Sequence, residues 1–183
     1  MARELPERRI AYSLRQYGFP MFLPYKEGRH GRIPLEDLII RILENCTDAR
    51  FIYGIPVMIA KNRINYGALL NKANSKSIQN RLGWIIEEAL NSFKSAGIEK
   101  DRSRLKGLIR KIKKTDSEQY VSLDPEIKSD RVYGLARRSD IARRWNVLTA
   151  YDTSDFVRIL RIYINGKKEN RLQGYNRNTK RIR

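Results

Sequence analysis

The stretch SIQNRLGWIIEEALNSFKSAG, residues 77–97, decides the fold. Ile78, Leu82, Ile85, Ile86, Ala89, Leu90 and Phe93 recur at helical spacing and make one apolar stripe. Arg81, Glu87, Glu88 and Asn91 are expected to lie away from that stripe. Gly97 stands where a left-handed residue would close the helix. A helix of this length with one apolar stripe needs other helices to cover it, so the pattern points to a helical core.

Elements of the same kind precede it. Upstream, Asn65 is placed to cap a short helix over 66–74, and Ser75-Lys76-Ser77 turns the chain into the longer one. Two helices joined so tightly fit a helix-turn-helix, a description that many all-helical cores share. Residues 49–61 are apolar on most sides, as in a buried helix, and Pro56 is expected to kink or divide it. Cys46 follows Leu35, Leu38, Ile39, Ile42 and Leu43 at helical spacing, with Glu36 and Asp37 in the first turn. Before that, Pro6 and Gly18 bracket a helix, and Phe19 to Pro24 reads as an extended apolar arm.

Downstream, residues 100–114 place Leu105, Leu108, Ile109 and Ile112 on one face and cations on the rest, predicting a cationic amphipathic helix. Asp101 alone offsets its charges, whereas a helix selected only for solubility mixes both signs. Tyr120, Val121 and Leu123 suit a short strand, and Asp124-Pro125 a turn. Residues 130–144 read as a loop with one helical turn, and Trp145, Val147 and Leu148 resume apolar character. Thr153 or Ser154 is placed to cap a final helix with Phe156, Ile159, Leu160 and Tyr163 inward. The fold class that follows is mainly α, within α+β: a compact helical core with a small β element in the second half. Residues 1–33 form an N-terminal helix and extended arm, 34–165 the mainly helical domain, and 166–183 a flexible basic tail.

Charge bounds the partners. The 183 residues carry 38 Lys and Arg against 20 Asp and Glu, a net +18 that favours polyanions or an acidic partner. Residues 1–99 hold 15 basic and 10 acidic side chains (+5), and residues 100–183 hold 23 and 10 (+13), so the second half is where an anion belongs. The candidate nucleic-acid-binding residues are accordingly Arg102, Arg104, Lys106, Arg110, Lys111, Lys113, Lys114, Arg137, Arg138, Arg143 and Arg144. One cysteine and one histidine, His30 in a glycine-flanked basic loop, leave no Cys/His zinc site or Cys-His dyad, and neither a metal nor a cofactor is expected. No phosphate-cradling or dinucleotide glycine motif is present. No apolar run approaches a membrane span or signal peptide, so the reading is cytoplasmic.

Two other classes compete. Asp116 with Glu126 and Lys128 resembles the carboxylates and lysine of a Mg²⁺-dependent nuclease, although Pro125 suits no central strand. Ten tyrosines, with Tyr120, Tyr133 and Tyr175 as stacking candidates, admit an RNA-binding or ribosome-associated accessory protein.

Three motifs in order carry a family resemblance over about residues 35–150: Ile78-Gln79-Asn80-Arg81-Leu82-Gly83-Trp84 opening a helix, Tyr120-Val121-Ser122-Leu123-Asp124-Pro125, and Arg144-Trp145-Asn146-Val147. Together they resemble the carboxy-terminal domain of AbiEi-type antitoxins of type IV toxin–antitoxin systems. The resemblance implies a non-enzymatic protein that opposes a nucleotidyltransferase toxin and often represses its own promoter through an amino-terminal winged helix. It also implies that Gly83 permits close packing, Trp145 fills the core and the arginines face outward. Too few residues precede Leu35 for that winged helix. The leading expectation is a non-catalytic, antitoxin-like regulator with a basic face that binds nucleic acid, DNA ahead of RNA.

Overall fold

The computed structural model describes residues 7–20, 31–45, 49–115, 121–122, 139–149 and 151–165. Among these the chain is mainly helical: α1 (Glu7–Gln16), α2 (Leu35–Glu44), α3 (Ala49–Lys61), α4 (Tyr66–Ser75), α5 (Gln79–Ser95), α6 (Arg102–Lys111), α7 (Asp140–Arg144) and α8 (Thr153–Leu160). A π-helical turn, Arg161–Asn165, extends α8. Two short strands, β1 (Val121–Ser122) and β2 (Val147–Leu148), pair in parallel with Val121 opposite Val147. They supply the small β element expected in the second half. Among the described residues no helix is long and apolar enough to cross a membrane.

α5 is the axis of the fold. It packs against α3, α4, α6, α7 and α8, so its burial runs well beyond one stripe. Trp84, Ile85, Ile86, Ala89 and Phe93 are fully buried, and so are Glu88 and Ser92. Glu88 therefore departs from its expected outward position, because α7 and α8 cover the side of α5 that a two-helix pairing leaves to water. Only Lys94 and Ser95, at its C-terminal end, are exposed. A helix so enclosed has no face to lay in a DNA groove, which removes the helix-turn-helix reading of α4 and α5.

Gly83 and Trp145 set the approach of α7 to α5. A Cβ at Gly83 would fall well inside 3.0 Å of the Trp145 ring. Trp145 is 7% exposed, and its indole N–H donates to Glu87 at 2.7 Å. The core role implied for both residues is what their packing shows. Aromatic contacts continue from Trp84 to Phe156 and from Phe156 to Tyr53.

The helix ends follow local chemistry. Asn65 accepts from the Ala68 N–H, as expected, and Gly97 has φ +69° just past α5. The cap of α8 differs: Asp152, rather than Thr153 or Ser154, accepts from the Ser154 and Asp155 amides, and Asp155 closes the box. Thr153 is engaged elsewhere, donating to Glu88 at 2.6 Å. Arg81 donates to the carbonyls of Leu43 and Glu44, and Lys100 to those of Ala60 and Asn62. Each cation thus serves the negative C-terminal end of a neighbouring helix. α3 runs undivided through Pro56, since the burial of Phe51, Ile52, Ile55, Val57, Met58 and Ile59 outweighs one missing backbone bond.

One hydrophobic cluster extends from Ile10 in α1 to Leu160 in α8. Phe19 and Ile33 join it, and Tyr17 Oη donates to the Ile33 carbonyl at 2.9 Å, tying the segment before α2 to α1. Residues 21–30 with His30, Cys46, and the tail from 166 lie outside the described residues.

Candidate nucleic-acid interface

α6 lies on α4 and α5 and buries Leu105 and Leu108. The helix is shorter than the 100–114 expected: it begins after Asp101 and ends before Ile112, whose backbone is already extended. Lys113 and Lys114 consequently lie beyond the helix. Asn80 fixes this exit, since its side chain donates to the Thr115 carbonyl and accepts from the Thr115 N–H, both at 2.9 Å. Asn80 is 2% exposed and Thr115 is exposed, so the pairing ties a surface segment to a buried side chain.

The predicted cations divide into two groups. Arg102 is paired with Glu99, Arg104 with Asp101 at 3.5 Å, Arg143 with Asp140 at 3.9 Å and Arg144 with Glu87 at 2.5 Å. Glu87 holds Arg144 and Trp145 at once, so Arg144 also supports the seat of the tryptophan. Lys106, Arg110, Lys111, Lys113 and Lys114 are exposed and have no ion-pair partner among the described residues. No carboxylate interrupts the chain from Arg102 to Lys114. Arg137 and Arg138 lie outside the described residues, as do Asp116, Glu126 and Lys128 of the nuclease reading and Tyr120, Tyr133 and Tyr175 of the RNA reading.

The two basic segments share one support. Asn80, Gly83 and Glu87 follow at i, i+3 and i+7 along a single row of α5. Thr115 is bonded to the first, Trp145 is packed on the second, and Arg144 is paired with the third. At 1.5 Å per residue, the two anchoring ends of this row stand about 10 Å apart.

Beneath the α7 junction lies a buried carboxylate that the sequence pattern does not disclose. Glu88 accepts from Thr153 at 2.6 Å and from Ser139, the cap residue of α7, at 3.3 Å. Burial pushes its pKa up to about 7, opposed by those two hydroxyls and reinforced by the negative charges of Asp152 and Glu87. Glu88 therefore ties the N-terminal ends of α7 and α8 to the central helix. Among the described residues no three His, Cys, Asp or Glu side chains gather to hold a metal ion.

Comparison with protein-family models, curated proteins and solved structures returned no match.

Proposed function

We propose that the chain is a non-catalytic nucleic-acid-binding regulatory protein of antitoxin-like character, using α6 and the segment after it as its binding face. The observation that carries this reading is the group of five exposed cations, Lys106, Arg110, Lys111, Lys113 and Lys114, with no ion-pair partner among the described residues and on a segment with no carboxylate of its own. Such a face gains affinity by releasing phosphate counterions and reads no bases directly. Arg102, Arg104, Arg143 and Arg144 contribute less, because each already has a carboxylate partner. DNA is the favoured partner over RNA. The antitoxin part of the proposal rests on the motif resemblance, with neutralisation of a nucleotidyltransferase toxin as the implied activity.

The test is fluorescence anisotropy of the full chain on duplex DNA over a salt series, with Mg²⁺ present and strand length checked on a gel. The expected result is a steep salt slope without cleavage. Replacing Lys113 and Lys114 together by alanine should make that slope shallower by about 2, at roughly 0.9 for each phosphate that is no longer neutralised. Arg102→Ala should change it far less. A slope indifferent to Lys113 and Lys114 would move the site elsewhere, and absence of binding at physiological salt would leave an acidic protein as the partner of the +18 charge.

A further inference from the structure

α4 and α6 carry a glycine each on the sides that face one another across a groove. A cavity of about 250 Å³ opens there, with Leu70 and Leu108 among its lining, Tyr66 as an aromatic wall, and Gly67 and Gly107 where larger side chains would intrude. A Cβ at Gly107 would meet nothing within 4 Å, so the middle of α6 borders open space. Glycine inside a helix is destabilising relative to alanine, and no backbone constraint at Gly107 requires it, since its φ is not positive. Arg104 and Lys111 line the same cavity. With Gly107 they follow at i, i+3 and i+7, which puts one cation on each side of the opening, about 10 Å apart along the axis. Arg104 leans on Asp101, whereas Lys111 has no ion-pair partner among the described residues. Burial and the neighbouring Asp101 carboxylate push the Tyr66 phenol's pKa up, so the wall is a neutral ring.

An apolar slot with an aromatic wall and a cation at either end matches one chemical unit: a planar base between two phosphates. Its volume falls below the 300–1,000 Å³ or so typical of pockets for drug-sized ligands, which suits a single ring system. A base in a duplex is stacked and cannot enter. We infer that the groove between α4 and α6 receives an unstacked base of single-stranded nucleic acid, with Lys111 holding one flanking phosphate and Arg104 exchanging its 3.5 Å contact with Asp101 for the other. The inference rests on the nucleic-acid reading of α6 and adds to it a preference for single strands that charge alone does not supply.

The test is Gly107→Leu in the full chain, measured by anisotropy at one salt concentration against oligo-thymidylate, oligo-uridylate and a duplex. Leucine has room at this position and favours the helix, so the urea midpoint should hold or rise, and it fills the slot without removing a charge. Expected is a loss of about tenfold or more on the single strands, in line with the loss of one stacked base, with duplex affinity retained. Deoxyribose and ribose strands show which source the groove prefers. Unchanged single-strand affinity beside intact duplex binding would overturn the slot alone, as would equal weakening of both. A wild-type chain that binds neither would overturn the nucleic-acid reading and the slot together.

Discussion

Replacing Gly83 by alanine drives a methyl group into the Trp145 ring, against three of its atoms at once. Alanine ordinarily strengthens a helix interior by about 0.5–1 kcal/mol over glycine. Overpacking a close-fitted core costs about 1–3 kcal/mol. Here the upper part of that range applies, because Trp145 cannot retreat without lengthening its 2.7 Å hydrogen bond to Glu87, a bond made at the edge of the core. The expected net loss is about 2 kcal/mol, or roughly 4–8 °C in Tm for a chain of this size. Urea unfolding of four proteins measures it: wild type, Gly83→Ala, Trp145→Leu and the double variant. With leucine at 145 the ring is gone, and Gly83→Ala should become neutral or stabilising by up to about 1 kcal/mol. The coupling energy should then reach about 2–3 kcal/mol, in the range of residues in direct contact. Additive effects, or a Gly83→Ala that stabilises the wild type, would refute the claim that Gly83 exists to admit Trp145.

Glu88 predicts a pH dependence of opposite sign to the usual carboxylate. Its folded pKa of about 7 lies above its ordinary value of 4.5, so the folded state holds the proton longer and stability falls as pH rises from about 4.5 to about 7. The full effect is on the order of 3 kcal/mol, and Glu88→Gln should flatten that part of a urea-midpoint profile; an unchanged profile would place the titration elsewhere. Asp152→Ala removes the cap of α8 and should cost about 1 kcal/mol by the same assay, whereas Ser154→Ala leaves the backbone cap bonds in place and should cost less. Asn80→Leu deletes the bonds to Thr115 and should cost about 2 kcal/mol, with hydrogen exchange of the Thr115 amide rising as the direct sign of a released exit from α6.

The proposed binding face is legible in outline from the amino-acid order, because charge is a sum over residues and needs no knowledge of which side chains meet. Which cations remain available is not legible there: Arg102 and Arg104 meet carboxylates only three residues away, but Arg144 meets Glu87 across 57 positions. Lys100 reads as part of the cationic helix and instead serves the end of α3, since a carbonyl acceptor from a distant helix leaves no trace in local pattern. The groove has one faint signal, a glycine in each of two helices, which acquires meaning only when those helices are seen to face each other.

Local spacing and capping chemistry thus determined most of the elements by themselves, though not every boundary: α6 is shorter than its pattern and α8 is capped by Asp152. The apolar recurrence along 78–93, the Asn65 cap and the left-handed Gly97 each act within a turn or two of chain, where backbone geometry brings residues together without help from the rest of the fold. Tertiary structure alone decided what those elements mean. It enclosed α5 until Glu88 became a buried, proton-holding tie between helices, and it pressed Trp145 onto Gly83 from 62 positions away. It also opened the slot beside Gly107. Burial and contact between distant residues depend on how whole helices pack, and no periodicity within a single helix encodes its neighbours.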